Sequence, residues 1–285
     1  MAVKEPNSTS YTHPDEPNLL DLRTAMDYNT DGEPVVRIDG TVQVESNPTS
    51  VLPAGYGSIH KFGEVQQLST NTTGTIWDRD DTIYPWAAID SNGTLTVEVV
   101  LPNNESNIRS DDDGATVTLS GLDVNFEAIE ETVTIANGTA TTTNSFRRIF
   151  RAYFTDSTSF NPTSNRILIK SGGTSGTVVA QITEDFGQTL MAVYTIPSGY
   201  TGYLMRLDAT CLSSGQLSLY IRPGGTDSFR IQHRALIDGS GGQYIVDYPV
   251  PQPLPEHTDI DVRATAGDNN SNITATFDIM LKPNT

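Results

Sequence analysis

Cysteine is almost missing from this chain: one residue, Cys211, stands among 285, which excludes an internal disulfide framework. In the pattern Met205-x-Leu207-x-Ala209-x-Cys211 the thiol is expected to point into a core beside its apolar neighbours. Positive charge is scarce as well, with 17 Lys and Arg against 35 Asp and Glu, a formal net charge of 17 − 35 = −18. Affinity for phosphate backbones comes mainly from Lys and Arg releasing condensed counterions, so no nucleic-acid partner is expected. No run approaches the roughly 20 apolar residues of a membrane helix, so no membrane partner is expected either. Met1–Pro6 lacks the apolar segment of a secretory signal, so export by that route is not expected and the chain is read as soluble. The Asn-x-Ser/Thr triplets at Asn7, Asn71, Asn92, Asn104, Asn137, Asn269 and Asn272 are therefore given no weight, since a chain rich in Thr, Ser and Asn makes them by chance.

Local catalytic signatures are lacking too. His13, His60, His233 and His257 are far apart, and none sits in a His-Glu-x-x-His or Cys-x-x-Cys context that would place zinc ligands on one face. Neither Gly-x-Ser-x-Gly nor the phosphate loop Gly-x-x-x-x-Gly-Lys-Ser/Thr occurs. Two acidic clusters, Asp78-x-Asp80-Asp81 and Asp111-Asp112-Asp113-Gly114, offer oxygen ligands, but neither matches the twelve-residue calcium loop, and solvated turns are the expectation. Carboxylate pairs for glycoside cleavage depend on spatial separation, and an enzyme reading would rest on a residue such as Asp80. Trp77, Tyr84, Trp86, Tyr200 and Tyr203 would stack on sugar rings if exposed, whereas burial of Ile76-Trp77 and Tyr84-Pro85-Trp86 would plug the end of a sandwich. The one basic cluster is Arg147, Arg148 and Arg151, for which pairing with the chain's own carboxylates is expected over docking on a neighbouring subunit. The sequence thus assigns no catalytic, cofactor-binding or metal residue, and a chain that is not an enzyme is expected.

What is present points to strands. Hydrophobic residues are 36% and charged residues 18% of the chain, and 23 Gly and 16 Pro punctuate it, the profile of many short strands joined by turns. Residues up to about Asn18 are polar and Pro-containing and are expected to form an arm; Val35–Ile38 and Thr41–Val44 around Asp39-Gly40 make a hairpin candidate. A Pro- and Gly-rich stretch runs from Pro48 to Gly57. A first strand set follows Gly63: Leu95, Val97 and Val99 alternate with Thr94, Thr96 and Glu98, and Ala115, Val117 and Leu119 alternate with Thr116, Thr118 and Ser120. Further strands are expected at 127–135, 141–154, 165–170 and 177–182, the second placing Phe146, Phe150, Ala152 and Phe154 on one side, with Arg148 among them and in need of a partner if buried. A second set runs through 190–196, 202–211, 216–222, 229–236, 243–249, 260–264 and 273–282, with Pro249–Pro255 as a stiff spacer or contact surface. No fixed-period repeat is visible, which counts against a propeller. The expected fold is all-β: antiparallel β-sandwich or jelly-roll domains at 63–186 and 187–285, preceded by an extended N-terminal attachment segment, 1–62.

Ile76-Trp77-Asp78, Thr116–Phe126, Glu131–Ile135, Thr141–Arg148 and Gly187–Leu204 resemble a family of tailed-bacteriophage virion proteins, many from marine phages. The resemblance covers roughly Gly63 to Leu204 and carries no catalytic residue. It implies a structural protein of the particle, assembled in the host cytoplasm and located in the virion: a head decoration, cement or knob-like subunit docked on the major capsid protein or another virion subunit through its N-terminal region. A homo-oligomer, a trimer in particular, fits such symmetric particles. The alternative is a tail-associated or receptor-binding protein that recognises host surface glycan.

Overall fold

The computed structural model describes residues 26–28, 34–36, 52–79, 81–156, 165–238, 241–269 and 271–284. The chain divides into two compact units, Met1–Val51 and Leu52–Thr285. In the first, β1 (Met26–Tyr28) pairs antiparallel with β2 (Pro34–Val36). The hairpin expected around Asp39-Gly40 is corrected in part: Val35 and Val36 pair with Asp27 and Met26 instead, and 37–44 lie outside the described residues.

Among its described residues the second unit is all-β with antiparallel sheets, apart from one short α-helix, α1 (Trp86–Ile89), and a 3₁₀ turn at Pro223–Gly225. Its strands are β3 (Gly57–Leu68), β4 (Thr73–Thr75), β5 (Gly93–Leu101), β6 (Asn104–Ile108), β7 (Thr116–Leu122), β8 (Ala128–Thr134), β9 (Thr139–Phe146), β10 (Arg148–Asp156), β11 (Arg166–Ser171) and β12 (Thr177–Ile182). Then follow β13 (Val193–Thr195), β14 (Tyr200–Cys211), β15 (Gly215–Arg222), β16 (Arg230–Ile237), β17 (Gly242–Leu254), β18 (Asp259–Ala266) and β19 (Ser271–Pro283). Alternation of apolar residues with Thr and Ser drives these elements, and turn residues end them. Between β8 and β9, for example, Asn137 and Gly138 both adopt positive φ, 53° and 73°, as a two-residue hairpin turn requires.

The described strands of the second unit form four sheets, a propeller-like number of blades in place of two plain consecutive sandwiches. Propeller blades are meanders of consecutive strands, and these sheets are not. One sheet runs β17-β14-β19-β3 and a second β13-β18-β15-β16, with β4 also on β18. The other two are β10-β7-β8 and β12-β11-β5-β6, with β9 also on β5. The first pair shares one core, including Leu207, Leu219, Val262 and Phe277. The second pair shares another, including Val97, Val117, Phe146 and Ile167. Because β3 pairs with β19 along most of its length, residues 62 and 63 lie inside one strand, where a domain boundary was expected. The chain starts the first pair of sheets, leaves to build the second pair, and returns.

Departure and return lie side by side. Trp77 bridges Met191, Ala192 N donates to Ile76 O at 2.8 Å, and Asp78 N donates to Leu190 O at 3.0 Å. With period two, Ile76, Ala192 and Tyr194 enter one core while Trp77, Met191 and Val193 enter the other. Gly63 crosses over this pair so closely that a Cβ there would meet Ile76 O at 2.3 Å and Ala192 N at 2.4 Å.

Three further expectations are corrected by local geometry. The strand expected over 141–154 is two strands in different sheets, broken at Arg147, and a bulge between Ile149 and Arg151 then sends Phe150 to the first core while Phe146 and Ala152 serve the second. In β14 a bulge between Leu204 and Arg206 shifts the parity, so Leu204 is buried and Met205 is 38% exposed, while Leu207, Ala209 and Cys211 point inward as expected. Pro249–Leu254 is the second half of β17, an edge strand, where proline's missing N–H costs no ladder bond. On β5 the Thr96 and Glu98 side chains are buried along with the apolar face, and Glu98 pairs with Lys170 at 2.6 Å.

Candidate functional site

The densest polar chemistry lies where the two cores meet. On β18 the residues Ile260, Val262 and Ala264 face a core, and the opposite face carries Asp259, Asp261 and Arg263. That charged face is covered, and both carboxylates are fully buried. Arg148, at the start of β10 and 1% exposed, donates from Nε to Asp259 Oδ1 at 2.8 Å and from Nη2 to Oδ2 at 3.1 Å. Its Nη1 reaches Asp90 Oδ1, just past α1, at 2.5 Å. Arg222, at the end of β15, donates to Asp259 Oδ2 at 2.7 Å and to Asp90 Oδ2 at 3.2 Å. Thr195 Oγ1 donates to Asp259 Oδ1 at 2.5 Å. Asp261 accepts from Thr75 at 2.8 Å, from Trp86 Nε1 at 3.0 Å and from Arg263 at 2.7 Å.

Aromatic rings wall this network. Trp77, Tyr84 and Trp86 form successive edge-to-face contacts with centroids 5.2 and 4.8 Å apart, and Phe229 follows at 5.4 Å. Arg148 lies 5.3 Å over Trp86 and over Phe126, and Arg222 lies 4.9 Å over Phe229. Burial by itself lowers the Arg148 pKa, but hydrogen bonds and charge from Asp259 and Asp90 outweigh it and hold the guanidinium more firmly protonated than usual. Every carboxylate of the network accepts from guanidinium groups and most of their lone pairs are used. The arrangement is a clamp that joins β10 and α1 to β13, β15 and β18. Its carboxylates and guanidinium groups engage one another, and the Tyr84 hydroxyl, buried in the aromatic wall, has no hydrogen-bond partner among the described residues.

Arg148 meets the demand for a partner that the sequence made of it, and the basic cluster divides: Arg147 stacks 4.5 Å over Phe126, and Arg151 lies elsewhere, bonded to Gln188 at 2.8 Å. The aromatics take the buried option, with Trp77 1%, Tyr84 2% and Trp86 6% exposed, so these three offer no platform to a sugar. Tyr200 packs partly buried against a core and Tyr203 is half-buried. Asp259, Asp261, Arg222 and Asp90 were missed, because an Asp-Ile-Asp-Val-Arg alternation looks like any half-solvated strand. The available signal was a strand with acids on two successive outward positions and a cation on the third.

The acidic clusters are not solvated turns throughout. Asp112 is buried and accepts from Asn165 Nδ2 at 2.6 Å, Asp111 accepts from the same amide at 3.2 Å and from Arg109 at 2.9 Å, and Asp113 turns away to accept from Gly138 N at 2.8 Å. Asp81 accepts from Ser69, and Asp80 lies outside the described residues. Asp78 is buried beside Gln181 and Thr183, and burial pushes its pKa up to about 8, which keeps it protonated at neutral pH. Among the described residues no group of three or more His, Cys, Asp or Glu is placed to hold a metal ion. His13 lies outside them; His60 faces Asp278 at 2.6 Å, His233 faces Tyr244 at 2.6 Å, and His257 stacks on Phe126 at 4.2 Å. No helix among the described residues is long and apolar enough to cross a membrane.

Open clefts also lie among the described residues. One of about 450 Å³ is lined by Trp77, Arg79, Ile83, Glu105 and Lys170, but Arg79 is bonded to Glu105 and Lys170 to Glu98. Another of about 370 Å³ lies among Asn71, Gln216, Leu236, Asp238 and Thr265.

No protein-family model matches the chain, and no curated protein matches it. Solved structures with a remote likeness include a clostridial cysteine protease, Cwp84, after propeptide cleavage, at 12% identity and a TM-score of 0.17 over 72% of this chain and 59% of that one. The protease and lectin-like domains of Cwp84, a surface-layer associated protein of Clostridium difficile, match at 10% identity and 0.19 over 76% and 64%. The match therefore spans about three-fifths of the length of the Cwp84 chains. Infectious bursal disease virus Gt strain matches at 9% and 0.17 over 84% and 80%. The last is a distant viral likeness. Likenesses this remote transfer no activity, site or partner.

Proposed function

We propose that this chain is a non-enzymatic structural protein of a phage virion, a head decoration, cement or knob-like subunit whose first unit, Met1–Val51, attaches it to the shell. The supporting observation is the strand order of one pair of sheets. Lettering β3, β4 and β14–β19 as B to I gives one sheet B-I-D-G (β3-β19-β14-β17) and the other C-H-E-F (β4-β18-β15-β16). We read this order as two interlocked Greek keys, the strand order of a jelly roll, an architecture used by viral capsid and lectin domains. On this reading the sheets built from β5 to β12 are an insertion between C and D. The resemblance of Thr116–Phe126 and Gly187–Leu204 to tailed-phage virion proteins supports the same assignment from the sequence side.

The mechanism is burial. Standard specific interfaces bury on the order of 1,600 Å², and repetition over a lattice reinforces a shell. Quantitative mass spectrometry of purified particles tests the proposal. Copy number at a simple lattice fraction of the major shell protein is expected, a few copies per particle would move the assignment to a tail or receptor-binding component, and absence from the particle would refute it. A chain lacking residues 1–51 should keep its folded second unit and lose attachment to particles.

A further inference from the structure

Where β3 passes β10, a cavity of about 190 Å³ is lined by His60, Lys61, Phe62, Arg151 and the segment Gln188–Leu190. Lys61 is only 9% exposed. Its Nζ donates to Phe150 O at 2.5 Å, at the bulge in β10, and an ammonium has three donors, so two N–H groups have no protein partner among the described residues. Arg151, across the cavity, donates to Gln188 Oε1 at 2.8 Å and stacks 4.9 Å over Tyr153. No carboxylate among the described residues pairs with Lys61 or Arg151. Asp278 of β19 is held by His60 Nδ1 at 2.6 Å. Lys61 and Arg151 thus neighbour each other with no counter-charge among the described residues.

We propose that this cavity binds a small oxyanion, a carboxylate or sulfate group of the kind carried by acidic saccharides. The forked Arg151 guanidinium suits two oxygens of one group, and the Lys61 ammonium, the Gln188 amide and the Thr189 hydroxyl surround the remainder. The volume equals roughly six waters at about 30 Å³ each, room for the charged group and a few attached atoms. Burial, and then repulsion from Arg151, bring the Lys61 pKa down to about 7. An anion in the cavity reverses that balance, so binding above pH 7 takes up a proton. The site is independent of the virion assignment.

Calorimetric titration of the full chain with sodium sulfate, sodium galacturonate and neutral galactose, at constant ionic strength, tests this. Saturable binding of sulfate or galacturonate and none of galactose is expected, at least about 10-fold tighter at pH 6 than at pH 9, since one charge-assisted contact is lost. Binding of both probes identifies the oxyanion of a saccharide as sufficient, and binding of sulfate alone identifies the free ion as the ligand. Arg151→Gln, at an exposed position, should weaken binding by about 10-fold, and Lys61→Met should reduce the pH dependence. If Lys61→Met fails to fold, Arg151→Gln and the dependence of binding heat on buffer ionisation still decide. Absence of saturable binding by either anion at pH 6, or binding unchanged in Arg151→Gln, overturns the proposal.

Discussion

Replacing Arg148 with Met removes a cation that is 1% exposed and leaves Asp259, fully buried, with Arg222 and Thr195, and Asp90 with Arg222 alone. Three buried or half-buried carboxylates, Asp90, Asp259 and Asp261, then share two guanidiniums in place of three. Intact buried pairs contribute little net stability, but removing one partner strands the other in a poorly solvating site at a cost of about 3–5 kcal/mol. Some of the cavity is filled by Met, so loss of packing is the smaller part. Arg148→Lys keeps the charge and loses the fork that spans both Asp259 oxygens, and should cost roughly half as much. Both tryptophans of the chain, Trp77 and Trp86, lie beside this network, so their fluorescence during urea unfolding reports the junction directly. At about 2–4 °C per kcal/mol for a unit of this size, the midpoint should fall by roughly 6–20 °C in a thermal scan. The double variant Arg148→Met/Asp259→Asn should be more stable than the sum of its singles implies, by roughly 0.5–3 kcal/mol. A loss below about 1 kcal/mol for Arg148→Met, or strict additivity in the double variant, would refute the account of the clamp.

Three other outcomes follow from local geometry. Asp78 has a folded-state pKa of about 8 against an ordinary 3.8, so between those values the native state holds a proton that the unfolded chain has released; stability is full below about pH 4 and falls by about 1.4 kcal/mol per pH unit up to pH 8. Asp78→Asn should therefore flatten the urea-unfolding profile between pH 5 and pH 7.5 by about 3 kcal/mol, and an unchanged profile would count against a buried acid there. Gly63→Ala should cost about 1–3 kcal/mol because backbone atoms of both crossing segments obstruct a Cβ, while Gly57→Ala, whose Cβ would meet Leu281 at an ordinary 3.6 Å, should be neutral in the same denaturation assay. Met205→Gln should change stability by less than about 0.5 kcal/mol and Leu207→Ala should cost about 2–5 kcal/mol; equal losses would mean that the β14 bulge is misplaced.

Individual strands were legible because period two is a local property of neighbouring residues. Leu217, Leu219 and Ile221 alternate with Ser218, Tyr220 and Arg222 in the sequence, and β15 buries the first set. The inward thiol of Cys211 and the need of Arg148 for a carboxylate were legible for the same reason, since each follows from one residue and its near neighbours. Where an extra residue enters a strand the inference breaks: the bulges beside Met205 and Phe150 reverse which face a side chain takes, and nothing in the flanking residues marks them. Pro249–Leu254 misled in another way, because proline disfavours a central strand and tolerates an edge, and edge position is set by the sheet.

By itself, then, the sequence determined the all-β class, the spacing of strands and turns, the acidic charge and the single buried thiol. These depend on composition and on alternation along the chain. The tertiary structure alone decided that β3 and β4 close sheets made by residues more than 180 positions later, through pairs such as Gly63 with Ala275 and Thr75 with Arg263. It also decided which polar faces are covered. Asp259, Asp261 and Thr195 alternate with apolar residues along the chain, and Arg148 of β10 and Trp86 of α1 reach them from outside their sheet; such coverage depends on which elements meet in space, a non-local fact that alternation does not encode.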